Sequence, residues 1–223
     1  MNKKHIIIEP SILSGDFGAL ACEAKRLELA GADALHLDVM DGHFVPNLTM
    51  GHQVVAAINR ATDLFLDVHL MIYNPFDYIE RFVAAGADRL TIHFEATEQL
   101  AETLQYIRRC NVQAGLAFCP ETSWEMIPKY VNQVDLILIM TVNPGFGGQP
   151  FMKEMVEKVE MTEKLCRSLQ KPPLIQVDGG IDDKTAPLCV AAGANVLVSG
   201  SYLFKAKEMK AAIEALRVSC GRL

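Results

Sequence analysis

A tetrapeptide that recurs along the chain limits the architectures open to it. Ala30-Gly31-Ala32-Asp33 returns as Ala85-Gly86-Ala87-Asp88 and, in variant form, as Ala192-Gly193-Ala194-Asn195. Each copy follows an amphipathic segment and precedes a short apolar run, so its glycine sits where a helix closes in a left-handed turn and a strand begins. The first two copies are about 55 residues apart and the third lies about twice that distance further on, an interval that holds two strand-helix units. A chain of 223 residues has room for four such intervals. Eight strand-helix units close a parallel (β/α)8 barrel, so a TIM barrel is the expected fold, with residues 1–223 as a single domain.

The expected strands cover 6–9, 34–39, 64–70, 89–94, 113–118, 136–141, 174–178 and 196–200, each followed by polar or Gly/Pro-rich sequence. Between them, Asp16 is placed to cap a helix with the apolar face Phe17, Leu20, Ala21, Ala24 and Leu27. Met152, Met155, Val156 and Val159 form a second such face, and Met209, Ala212, Ile213 and Leu216 a third. Further helices are expected to start near Gly51, Pro75, Thr97, Ser123 and Asp182. An open doubly wound sheet also alternates strands and helices, but it wants a Gly-rich dinucleotide turn after an early strand. Here the first strand runs into Glu9-Pro10-Ser11-Ile12-Leu13-Ser14, which has none.

A net charge of −6, with no Lys/Arg cluster longer than a pair, argues against nucleic acid as a partner. An anionic substrate would then need local positive potential from a metal or from backbone N–H groups. No apolar run approaches a membrane span, and the three isoleucines before Glu9 are too few for a secretory signal. Cys22, Cys110, Cys119, Cys166, Cys189 and Cys220 form no Cys-x-x-Cys pair and read as reduced thiols of a cytoplasmic protein.

In a parallel barrel the active site lies at the C-terminal strand ends. The polar residues there are Ser11, His36, Asp38, His69, His93, Glu95 and Asp178. Residues two apart on a strand share a face, so His36 and Asp38 point the same way, and Asp67-Val68-His69 repeats the pairing. His36, Asp38, His69 and Asp178 together offer two imidazoles and two carboxylates, a set suited to one Zn, Mn, Fe or Co ion. Glycines form the second constellation, in Met140 to Gln149, in Asp178-Gly179-Gly180 and in Ser199-Gly200-Ser201. At successive strand ends they let backbone N–H groups approach a phosphate. Met40, Met71 and Met140 sit at three strand ends, where they would set apolar atoms at the barrel mouth. His5, His43 and His52 have no comparable partner pattern.

The stretch Leu35 to Thr49 and the stretch Met140 to Gln149 closely resemble the two signature regions of ribulose-phosphate 3-epimerases, and the resemblance extends from about Pro10 to Phe204. It implies a (β/α)8 barrel that interconverts D-ribulose 5-phosphate and D-xylulose 5-phosphate with one divalent metal ion per subunit, in the pentose phosphate pathway and the Calvin cycle. It implies His36, Asp38, His69 and Asp178 as metal ligands and the two aspartates as the acid-base pair. Ser11 and His69 resemble substrate-contacting positions, and Gly145, Phe146, Gly147, Gly148, Gly179, Gly180, Gly200 and Ser201 resemble the phosphate-binding region. A homo-oligomer acting on a small sugar phosphate is expected. Phe118-Cys119-Pro120 departs from the usual Leu-Asn-Pro, and Tyr202-Leu203 replaces a smaller pair. An allulose-6-phosphate 3-epimerase shares these signatures and is the alternative within the class. A phosphosugar decarboxylase or lyase would carry Asp-x-Lys-x-x-Asp, where this chain has His36-Leu37-Asp38 and no lysine.

Overall fold

Strands and helices alternate along the whole of residues 6–221, which the computed structural model describes; His5 lies outside the described residues. The strands are β1 (Ile7–Pro10), β2 (Ala34–Met40), β3 (Phe65–Met71), β4 (Arg89–His93), β5 (Gln113–Phe118), β6 (Leu136–Met140), β7 (Leu174–Asp178) and β8 (Val196–Ser199). All pairings are parallel, in the order β1-β8-β7-β6-β5-β4-β3-β2. A single parallel bridge between Ser11 and His36 brings β1 against β2 and closes the circle. The fold is the expected (β/α)8 barrel, and the strand limits differ from the sequence reading by a residue at most.

The helices are α1 (Leu20–Leu29), α2 (His52–Asn59), α3 (Ile79–Ala84), α4 (Leu100–Arg109), α5 (Met155–Cys166), α6 (Ala186–Ala192), α7 (Ser201–Phe204) and α8 (Met209–Cys220). Period-two alternation sorts each strand. On β2, Leu35, Leu37 and Val39 join the large apolar core between barrel and helices, while His36, Asp38 and Met40 face the barrel axis. Ala117, Leu136, Leu138 and Val196 fill the opposite inner wall.

The recurrent tetrapeptide has a physical cause. Gly31, Gly86 and Gly193 adopt φ of 89°, 98° and 116°, the left-handed conformation that ends a helix and turns the chain into the next strand. The residue that follows by two positions then clamps the neighbouring strand. Asp33 Oδ2 accepts from Ile8 N–H at 2.7 Å, Asp88 Oδ2 from Leu66 N–H at 2.8 Å and Asn195 Oδ1 from Ile175 N–H at 2.9 Å. Asp135, which no Ala-Gly-Ala announces, does the same for Ala114 at 3.0 Å. The clamps stand before β2, β4, β6 and β8 and hold β1, β3, β5 and β7, which is why the repeat spans two units.

Several helix starts move. Asp16 caps a turn instead, its Oδ1 accepting from Gly18 N–H; α1 begins at Leu20, leaving Phe17 and Ala21 in solvent. Met152 precedes α5, α4 starts three residues after Thr97, and Asp182 organises the turn ahead of α6 by accepting from Thr185 N–H. Ser123 caps only a 3-10 segment, Trp124–Lys129, because Pro128 has no N–H to extend an α-helix. The short α7 was not anticipated. Among the described residues no helix is long and apolar enough to cross a membrane.

Candidate active site

His36, Asp38, His69 and Asp178 come from three strands, β2, β3 and β7, and meet on the barrel axis. Register sets His36 beside Asp67, Asp38 beside His69 and Met40 beside Met71, and sets Met140 beside Asp178 on the far wall. His36, Asp38 and His69 are buried, and the side chain of Asp178 retains 17% exposure. His36 Nε2 lies 3.2 Å from His69 Nδ1, 3.3 Å from Asp38 Oδ1 and 3.8 Å from Asp178 Oδ2. His69 Nδ1 is 3.1 Å from Asp38 Oδ1 and 3.9 Å from Asp178 Oδ2.

These spacings suit a shared cation. Donors held at 2.0–2.2 Å from a tetrahedral ion are about 3.4 Å from one another. His36 also has the support such a ligand needs, since its Nδ1 donates to Asp67 Oδ2 at 2.9 Å. Its Nε2 faces the Asp38 carboxylate, which keeps a proton there until a bound cation takes its place. The charges are strained accordingly. Burial and then the neighbouring Asp38 push the Asp178 carboxyl up, while burial of Asp38 is outweighed by His36 and His69, which hold it down. Burial opposes a charge on His36, but Asp38 and Asp67 raise it well above the ordinary value; burial lowers His69.

Above the cluster opens a cavity of about 600 Å³, lined by Ser11, Asp38, Asp178 and all three strand-end methionines. Gly145, Phe146, Gly147, Gly148, Gly179, Gly180, Gly200 and Ser201 line it as well. Ser11 Oγ donates to Asp38 Oδ2 at 2.5 Å and fixes that carboxylate. Gly179 takes φ of 125° and approaches the loop after β6 so closely that a Cβ would lie 2.8 Å from Val142 N. The loops after β6 and β7 are thus drawn together by backbone contact. Asn47 Nδ2 donates to Gly145 O at 2.9 Å and ties the loop after β2 to the same rim. Lys205 is the one Lys or Arg among the described residues lining the cavity.

The Ribulose-phosphate 3 epimerase family matches residues 7–204. The chain belongs to that family. A ribulose-phosphate 3-epimerase of Chlamydia pneumoniae is 52% identical over 209 residues, covering 93% of this chain and 91% of the relative. One of Bacillus subtilis (strain 168) is 47% identical over 215 residues, with 96% and 99% covered. By this membership the chain is an enzyme of the isomerase class. Among solved structures, a 3-keto-L-gulonate-6-phosphate decarboxylase from Vibrio cholerae O1 biovar El Tor str. N16961 superposes with a TM-score of 0.73. It covers 99% of both chains at 13% identity, a likeness of fold alone.

Sequence reading paired Asp67 with His69 but left it out of the donor set. Register puts Asp67 in the layer of His36, one step below Asp38 and His69, and its short side chain does not reach up to the cluster as the His36 imidazole does. Asp67 therefore lies beneath the cluster, accepting from Arg89 Nε at 2.8 Å and Gln176 Nε2 at 2.7 Å as well as from His36. The available signal was Arg89, a charged residue opening an apolar strand. Behind His69 stand His93 and Glu95, noticed in the sequence only as polar strand ends, and Cys119, noticed only as a departure from the family pattern. His43 stacks on Tyr73 and His52 meets the edge of Phe82, both away from the cluster.

Proposed function

We propose that the chain, acting as one catalytic domain, interconverts D-ribulose 5-phosphate and D-xylulose 5-phosphate by moving the proton at C3. The observation that carries the reading is the placement of Asp38 and Asp178 on non-neighbouring strands of one cavity whose rim is made of glycines. C3 of a 2-ketose is adjacent to the carbonyl, so its proton is removable if the enediolate that forms is stabilised. Inversion needs a carboxylate on one face of C3 to take the proton and a carboxylic acid on the other to return one. Asp38 and Asp178 fill these roles, exchanging them with the direction of reaction.

His36, Asp38, His69 and Asp178 would hold one divalent ion, Zn, Fe, Mn or Co, by the chemistry of that donor set. When bound, the ion supplies Lewis acidity that offsets negative charge developing on the sugar. Ser11 orients Asp38 and contacts the substrate, as does His69. Met40, Met71 and Met140, all buried, exclude water from the reacting carbon. Gly145 to Gly148, Gly179, Gly180, Gly200 and Ser201 cradle the phosphate, whose binding holds C3 in place. The scattered spacing of the cysteines, with no Cys-x-x-Cys pair, supports a reducing compartment such as the cytoplasm, and exposed Leu29 and Leu48 support a homo-oligomer.

A coupled assay after chelation and re-addition of single metals tests the reading. Epimerisation of ribulose 5-phosphate, with solvent deuterium entering C3, is expected. Comparable kcat/KM for ribulose and ribulose 5-phosphate would remove the phosphate assignment, and a higher value for allulose 6-phosphate would make the hexulose phosphate the substrate.

A further inference from the structure

A histidine binds a cation through a nitrogen without a proton, so its other ring nitrogen must carry one and needs an acceptor. For His36 that acceptor is Asp67. For His69 it is another imidazole, with His69 Nε2 at 2.8 Å from His93 Nε2 and the two rings inclined by only 24°. Nitrogens at that distance share a single proton, and which ring owns it is decided one step further out. His93 Nδ1 lies 3.1 Å from Glu95 Oε2. Glu95 is itself pinned, its Oε1 accepting from Cys119 N–H at 2.8 Å and from the Thr122 hydroxyl. Lys158 Nζ, donating to Cys119 O at 2.8 Å and Pro120 O at 3.0 Å, fixes that loop from below. A carboxylate so arranged accepts and does not donate, so His93 carries its proton on Nδ1 and presents a bare Nε2. His69 must then donate from Nε2, which turns its Nδ1 lone pair on the donor cluster.

We propose that His93 and Glu95 are positioning residues, a relay that sets the tautomer and ring orientation of His69. The inference rests on the reading of His69 as a metal ligand. It also decides the chemistry of the grouping His93, Glu95 and Cys119, whose donor atoms lie close enough to suggest a second metal site. An ion there would take the His93 Nδ1 lone pair and force the His93 proton onto Nε2, against the His69 Nε2–H. The relay and a second site exclude each other. The Cys119 Sγ, 3.5 Å from His93 Nδ1, stays a protonated thiol because burial pushes its pKa far up.

Two measurements on the full chain test the proposal. In the ¹⁵N-labelled wild type with Zn²⁺ bound, spectra should show the proton on His69 Nε2, with a coupling across the hydrogen bond to His93 Nε2. A proton on His93 Nε2 in the zinc-bound protein overturns the relay alone; failure of zinc to bind at all overturns the metal reading and the relay with it. Chelator competition then compares variants. His93→Leu is expected to weaken Zn²⁺ by roughly 10–100-fold, the usual effect of losing a group that supports a metal ligand. His93→Gln, whose side-chain oxygen still accepts from His69, should stay within about 3-fold of wild type on the same argument. Unchanged affinity in His93→Leu, equal losses in both variants, or two zinc ions per wild-type chain would each refute it. If His93→Leu does not fold, the wild-type proton position decides.

Discussion

Two buried polar clusters lie one above the other on the barrel axis, and His36 belongs to both. In the lower one Arg89 donates to Glu9 at 2.8 and 3.0 Å and to Asp67 at 2.8 Å, and Gln176 Nε2 donates to Glu9 at 2.6 Å and to Asp67 at 2.7 Å. Two carboxylates there face a cation that the chain itself provides. In the upper one Asp38 and Asp178 face two imidazoles and no Lys or Arg among the described residues that make ion pairs there. The same kinds of side chain, at similar depth, therefore do different work. The closed cluster fills the barrel floor, while the open one is left short of positive charge, as the proposed cation site requires.

The comparison is broken most severely by neutralising the upper carboxylates. Asp38→Asn or Asp178→Asn is expected to lower kcat by about 10²–10⁴-fold, the usual loss when a general acid or base is removed. Metal-free Asp178→Asn should melt no lower than metal-free wild type, because burial and Asp38 already push that carboxyl up, whereas metal-free Asp38→Asn gives up the contacts to His36 and His69 that hold its carboxyl down and should melt lower. Retention of more than about a tenth of kcat would contradict the acid-base role.

Removing the lower cation should do the reverse. Arg89→Met leaves Glu9 and Asp67 buried without a partner charge, a change that typically costs about 3–5 kcal/mol. For a chain of this length that is a fall in melting temperature of roughly 6–20 °C. Activity of the molecules that remain folded should drop far less than in the aspartate variants, and only through the Asp67 contact to His36. A variant that melts like wild type would show that the floor is held by packing alone.

These two clusters were not equally legible in the sequence. His36, Asp38 and His69 announce themselves because period-two alternation sets them on one face of strands that end at the mouth, and Asp178 because two glycines follow it. The barrel was legible for a similar reason: a helix-ending glycine followed by a strand-clamping Asp or Asn repeats in the linear chain. Asp135 performs the same clamp without that prelude, and only the observed contact to Ala114 reveals it. The lower cluster is a matter of register. Glu9, Arg89 and Gln176 come from β1, β4 and β7, and nothing local to any one of them says that they meet. Asp67 could be put on the face of His69 but not in a layer, because alternation fixes the face of a side chain and not the layer that its partners occupy.

Withdrawing the cation sharpens the contrast at an intermediate scale. At a metal concentration a hundred times Kd, binding stabilises the fold by about 2.7 kcal/mol. Chelation should then lower the melting temperature of wild type by roughly 5–11 °C. The shift should shrink in Asp38→Asn and Asp178→Asn, whose donor sets are incomplete. Arg89→Met should keep most of it, since its fault lies in the other layer. A chelation shift of equal size in all four proteins would mean that the ion binds elsewhere.

The smallest effect concerns the clamps, which belong with the floor because they hold strand starts. Asp88 Oδ2 accepts from Leu66 N–H at 2.8 Å while Asp88 N–H donates to Leu66 O at 3.1 Å, and Asn195 does the same to Ile175 with an amide oxygen in place of a carboxylate. The acceptor is therefore what the junction needs, and the charge is dispensable. Asp88→Asn should be neutral within about 0.5 kcal/mol, whereas Asp88→Ala strands a partly buried N–H and should cost about 1 kcal/mol. At this chain length the alanine variant should melt about 2–4 °C below wild type. Both should epimerise at the wild-type rate per folded molecule, because the clamp lies at the opposite end of the barrel from the donor cluster. Equal destabilisation by Asn and Ala would show that the charge matters after all. Loss of kcat in either variant would show that the floor and the mouth are coupled more tightly than His36 alone provides.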